Sequence, residues 1–116
     1  MTILGIDPGM HETGWAVLDG SIPGSPRLIA SGVIRTRPGV PLPERLKTIH
    51  AELHAIIVDH QPESCAVEEM FFVKEATTVR ATLQARGVAL LAIAQNGRAV
   101  HEYNPKTVKS AVTGAR

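Results

Sequence analysis

The chain has very few aromatic residues, one cysteine and no long apolar run, and each shortage removes a class of protein. Phe, Trp and Tyr make up only 3% of 116 residues, so the core must be aliphatic, and the adjacent Phe71 and Phe72 need an explanation of their own. A single cysteine, Cys65, excludes an internal disulfide framework and a cysteine-rich zinc module, and it fits a reducing compartment. No stretch approaches the roughly 20 apolar residues that span a bilayer, and no basic segment precedes an apolar run at the N-terminus. A cytoplasmic location is therefore the expectation. Zinc-ligand spacing is also missing. His50 and His54 lie one helical turn apart, but the intervening Ala51-Glu52-Leu53 sets the acid one place too late for a zinc-protease motif, so a half-solvated helix face is expected. His11, His60 and His101 show no ligand spacing at all.

What is present fits an ordinary globular chain: 44% hydrophobic and 20% charged residues, enough for one compact domain over residues 1–116. The net charge of +1 conceals an asymmetry. Residues 1–73 carry five Lys and Arg against nine Asp and Glu, whereas residues 74–116 carry seven against two. A basic stretch is either a solvated surface or a place where phosphates are neutralised.

Residues 2–7 are aliphatic and β-branched and are stopped by Pro8-Gly9, which predicts a buried strand. A second strand follows over Glu12–Leu18, and turn residues between Asp19 and Pro26 lead to a third at about Leu28–Thr36. Together these predict an antiparallel meander. The spacing of Leu42, Leu46, Ile49, Leu53, Ile56 and Ile57 keeps a helical period, and Pro62 ends that helix. Ser64–Met70 reads as a fourth strand and Glu75–Ala94 as a second helix. The small residues of that helix, Ala81, Ala85, Gly87, Ala89, Ala92 and Ala94, predict close approach to a neighbouring element, which would account for Gly87. Gly97 closes the helix. Ala99–Tyr103 is a fifth strand, and Pro105 opens a basic helical segment through Lys106 and Lys109. The order predicts a mixed sheet flanked by helices.

Asp7 ends the first strand. An Asp before Pro-Gly is a common turn former, but Glu68 also ends an apolar strand, and open α/β sheets place their sites beyond the carboxyl ends of parallel strands. With strands one and four as neighbours, the two carboxylates converge. Their repulsion is relieved by a divalent cation, and hard oxygen donors favour Mg²⁺ or Mn²⁺. No Ser-His-Asp or Cys-His arrangement is assignable.

Leu4-Gly5-Ile6-Asp7-Pro8-Gly9 with Thr13-Gly14, then Ala66-Val67-Glu68 with Phe71 and Lys74, then Gln84-Ala85-Arg86-Gly87, then Glu102-Tyr103 and Val108-Lys109, resemble RuvC-type Holliday-junction resolvases in order and spacing. The resemblance spans the whole chain. It implies a ribonuclease H-like α/β fold with a five-stranded mixed sheet, and metal-dependent, symmetric nicking of four-way DNA junctions to 5′-phosphate and 3′-hydroxyl ends in recombination and repair. Two Mg²⁺ ions per site, replaceable by Mn²⁺, are implied, with Asp7 and Glu68 matching two of the family's four acidic ligands. The resemblance places the other two on a helix beyond Arg116, so the chain is expected to be C-terminally truncated, lacking that helix, and by itself inactive. It further implies a homodimer, partnership with the RuvA and RuvB branch-migration proteins, contact of Phe71 with the junction centre, and DNA contacts by Lys74, Lys106 and Lys109. Core packing of Phe72 and an ordinary solvated surface for the lysines are the plainer alternatives.

Two rival functions remain at this level. An actin-like or sugar-kinase fragment also opens with a strand, Asp-x-Gly and Thr-Gly, but the chain has no length for a second lobe and no further phosphate-binding glycine loop. A non-catalytic ribonuclease H-like module that only binds branched DNA is the other.

Overall fold

A computed structural model of the chain describes residues 1–21, 24–68 and 76–103, without the side chains of 76–78 and 102–103. Seven elements alternate along it: β1 (Thr2–Asp7), β2 (Glu12–Asp19), β3 (Arg27–Arg35), α1 (Leu42–His60), β4 (Ser64–Glu68), α2 (Ala76–Gln95) and β5 (Ala99–Tyr103). The five expected strands and the two helices expected from Leu42 and Glu75 are present, with boundaries displaced by a residue or so, as when β2 runs on to Asp19 and β3 starts at Arg27. The basic segment from Pro105 lies outside the described residues.

The strands form one sheet in the order β3-β2-β1-β4-β5. β1, β2 and β3 make the antiparallel meander, while β4 pairs parallel to β1 and β5 parallel to β4. Successive strand residues face opposite ways. Leu4 and Ile6 of β1, Val17 of β2, Ile34 of β3, and Cys65 and Val67 of β4 join one buried cluster with Ile49, Leu53 and Ile57 of α1 and Ala85, Ala89, Ala92 and Ile93 of α2. Both helices thus cover the same face. The alternate positions, Gly5 and Asp7, Gly14 and Ala16, Ala66 and Glu68, look away from them. Burial pushes the Cys65 thiol up to about 11, against a weaker opposing effect of Arg98, so this sulfur is an inert part of the core.

Each helix is stopped by a backbone device legible in part from sequence. Gln61 adopts a left-handed conformation (φ 48°) and its N–H donates to the Ile57 carbonyl at 2.8 Å, directly ahead of Pro62. Gly97 (φ 68°) caps α2, with its N–H donating to Ala94 and the Arg98 N–H donating to Ile93, the paired pattern that satisfies two terminal carbonyls. The small-residue expectation for α2 needs a correction. Ala85, Ala89 and Ala92 are fully buried, but Ala94 is exposed, and a Cβ added at Gly87 would meet nothing within 4 Å among the described residues. Close packing does not explain Gly87, which costs the helix about 1 kcal/mol relative to alanine.

His50 and His54 prove to be ties between the helices. His50 Nε2 lies 2.7 Å from Gln95 Oε1, and the Asn96 amide nitrogen lies 3.1 Å from His54 Nδ1. Among the described residues, no group of three or more His, Cys, Asp and Glu is placed to hold a metal, and no helix is long and apolar enough to cross a membrane.

Candidate active site

The parallel pairing of β1 with β4 runs from Ile3 opposite Ser64 to Ile6 opposite Val67. One residue further, at the carboxyl ends of both strands, Asp7 comes level with Glu68. Adjacent strands lie roughly 4.8 Å apart and in-register residues share a face, so the register continued by one residue puts the two side chains on neighbouring strands, on the face away from α1 and α2. Their environments differ: Asp7 is exposed, whereas Glu68 is only 8% exposed. A site with one open and one nearly enclosed acid admits a ligand from one side.

The space around Asp7 is kept clear by glycine. Gly14 sits opposite Asp7 on β2, and a Cβ added there would lie 3.8 Å from the Asp7 Cβ, so any larger side chain would crowd the carboxylate. The turn leaving Asp7 is fixed from below. The hydroxyl of Thr13, fully buried, donates to the Gly9 carbonyl at 2.7 Å and accepts from the Gly9 N–H at 3.3 Å. Gly9 itself has no room for a side chain, since an added Cβ would fall 2.4 Å from the Glu12 carbonyl oxygen. Replacing Thr13 with Val is therefore expected to lose about 1–3 kcal/mol in urea unfolding, while Thr13→Ser, which keeps both bonds and loses one methyl, loses about 1 kcal/mol. A smaller loss for Val than for Ser would show that the hydroxyl does not hold the turn.

A second set of polar contacts, invisible in the sequence, binds the β1–β2 turn to the rest of the molecule. Arg45 of α1 donates through Nε to the Thr36 hydroxyl at 2.9 Å, and through Nη2 to His11 Nδ1 at 2.9 Å and to the Met10 carbonyl at 3.5 Å. Thr36 bonds the same turn, its hydroxyl donating to the Met10 carbonyl and its N–H to the His11 carbonyl at 3.1 Å. Residues 10, 11, 36 and 45 share no local pattern, so nothing in the sequence could announce this clamp. Of the other expected site residues, Phe71, Lys74, Lys106 and Lys109 lie outside the described residues, as do Phe72 and Glu69.

Asp7 and Glu68 supply two hard, anionic oxygen donors at one sheet edge, which suits a divalent cation such as Mg²⁺ or Mn²⁺. Five strands in this order, with acids at the ends of the two central parallel strands, define a ribonuclease H-like nuclease of the resolvase type. The family model described as "Crossover junction endodeoxyribonuclease RuvC" matches residues 3–116, and the chain belongs to that family. A relative of the same description from Chloroflexus aurantiacus is 49% identical over 98% of this chain and 69% of its own length. Among solved structures, Thermus thermophilus RuvC in complex with a Holliday junction substrate superposes with a TM-score of 0.87 at 34% identity, covering 98% of this chain and 69% of that one. The fowlpox virus resolvase with Holliday junction DNA shares the fold at 12% identity, with a TM-score of 0.58 and coverage of 89% and 61%.

Proposed function

We propose that this chain is a structure-specific endonuclease that recognises four-way DNA junctions and nicks them symmetrically during recombination and repair. The observation that carries the reading is the in-register parallel pairing that sets Asp7 beside Glu68. Both carboxylates would hold the metal, Mg²⁺ with Mn²⁺ as substitute, and two ions per site would complete the family's chemistry. When bound, the metal lowers the pKa of a water and stabilises the oxygen leaving the phosphorus, giving 5′-phosphate and 3′-hydroxyl ends. The chain's own part is to fix the two carboxylates: Thr13 and Gly9 hold the turn behind Asp7, and the sheet holds Glu68. Phe71 meets the junction centre, where an aromatic ring stacks on an unpaired base for about 1–3 kcal/mol, and Lys74, Lys106 and Lys109 neutralise phosphates.

Residues 1–116 belong to one nuclease domain, incomplete at its C-terminal end. Symmetric cutting calls for two equivalent sites, which a homodimer provides. The implied setting is the cytoplasm, with the RuvA and RuvB branch-migration proteins as partners. A non-catalytic branched-DNA-binding module remains the second reading, because no third acid joins Asp7 and Glu68 among the described residues. Binding separates both readings from an unrelated role. In EDTA, the chain is expected to shift a labelled four-way junction at concentrations well below those needed for a linear duplex of the same arm sequence. Equal affinity for junction and duplex would sink the proposal.

A further inference from the structure

A basic cleft opens on the other side of the Asp7 turn, where β3 ends and β2 begins. It has a volume of about 600 Å³ and is lined by His11, Glu12, Arg35, Thr36, Arg37 and Pro38. We propose that this cleft holds a backbone phosphate of the junction arm that runs past the Asp7–Glu68 site. The inference rests on the junction reading above.

Three observations support it. First, Arg35 is paired with Glu12 through Nε at 3.1 Å, but both side chains are largely exposed, at 69% and 62%. Such a pair is worth little in water, so the guanidinium can turn to a phosphate, for which its planar fork of donors is suited. Arg37 is exposed and makes no ion pair among the described residues. Second, His11 is oriented from behind. Arg45 can only donate, so His11 Nδ1 must accept its 2.9 Å bond. The hydrogen of a neutral His11 ring then sits on Nε2, and the ring itself is exposed. Third, Arg35 lies at the right end and on the right face of the sheet. Asp7 is level with Gly14, and Gly14 with Val33, which puts Arg35 on the Asp7 face two strands across and two residues further on. From strand and residue spacings that is roughly 12 Å between Cα atoms, about the distance spanned by two phosphate steps along one DNA strand. One strand can therefore touch both places.

A plainer role for these arginines is to keep an edge strand from pairing with other chains, and the test separates the two. Junction binding by this chain in EDTA is measured across salt concentrations for the unaltered protein, for Arg35→Gln with Arg37→Gln, and for Arg27→Gln at the far end of the same strand. Each lost phosphate contact flattens the slope of log K against log salt by about 0.9. The double variant is expected to bind several-fold more weakly at low salt, with a slope flatter by about 1–2, while Arg27→Gln keeps the slope of the unaltered chain. An unchanged slope in the double variant, or an equal change in Arg27→Gln, would overturn the cleft assignment alone. Absence of junction binding by the unaltered chain at every salt concentration would end the junction reading and this inference with it.

Discussion

Glu68→Gln is expected to lower metal-dependent junction nicking by on the order of a thousandfold or more, about 4 kcal/mol of transition-state stabilisation, with junction binding nearly unchanged. The amide keeps the shape of the side chain and removes the charge proposed to attract the cation. Because Glu68 is only 8% exposed, loss of its charge is not made up by solvent or by a mobile neighbour. The β4 register puts Glu68 on the Asp7 side of the sheet. The experiment uses residues 1–116 joined to the remainder of the Chloroflexus aurantiacus relative, of which this chain covers 69%, with a labelled four-way junction and Mg²⁺. Retained nicking in Glu68→Gln together with loss in Glu69→Gln would reverse the assignment.

A polypeptide of residues 1–116 tested by itself is expected to nick junctions far more slowly than that chimera, with either Mg²⁺ or Mn²⁺. Two carboxylates offset half of the charge of two dications, so the second ion binds weakly. The sheet face bearing Asp7 and Glu68 also exposes Leu28 and Val33, at 48% and 43%, which an added helix could cover. Binding suffers less than chemistry, because phosphate contacts are spread over many residues. The comparison is symmetric nicking of one labelled junction by the two proteins, each verified by intact mass. Equal rates would show that Asp7 and Glu68 suffice or that other acids of this chain complete the site.

The sheet and its two carboxylates were legible because the signals are local. Aliphatic and β-branched residues mark β1, the helical spacing of Ile49, Leu53 and Ile57 marks α1, and Asp7 and Glu68 each follow a short apolar run. The pairing of β1 with β4 followed from the mixed order of strands and helices. Other features are not written locally. The Arg45 clamp joins residues far apart in the chain, and so does the cleft of His11, Arg35 and Arg37. His50 and His54 could be recognised as surface residues, but their partners Gln95 and Asn96 sit at and just past the end of another helix. Gly87 shows the opposite failure: a run of small residues suggests tight packing, yet composition alone cannot say which side of a helix each residue occupies.

The parallel pairing of β1 with β4 also orders events in time. The β1–β2–β3 meander is built from neighbouring segments, but setting Glu68 beside Asp7 closes a loop of about 60 residues, at an entropic cost of roughly 3–4 kcal/mol. Contacts between distant segments form late. On a ribosome adding about 5–20 residues per second, Asp7 waits several seconds for its partner to be made. A growing chain consequently holds Asp7 long before Glu68 exists, and the proposed pair cannot assemble until most of the sheet has been synthesised.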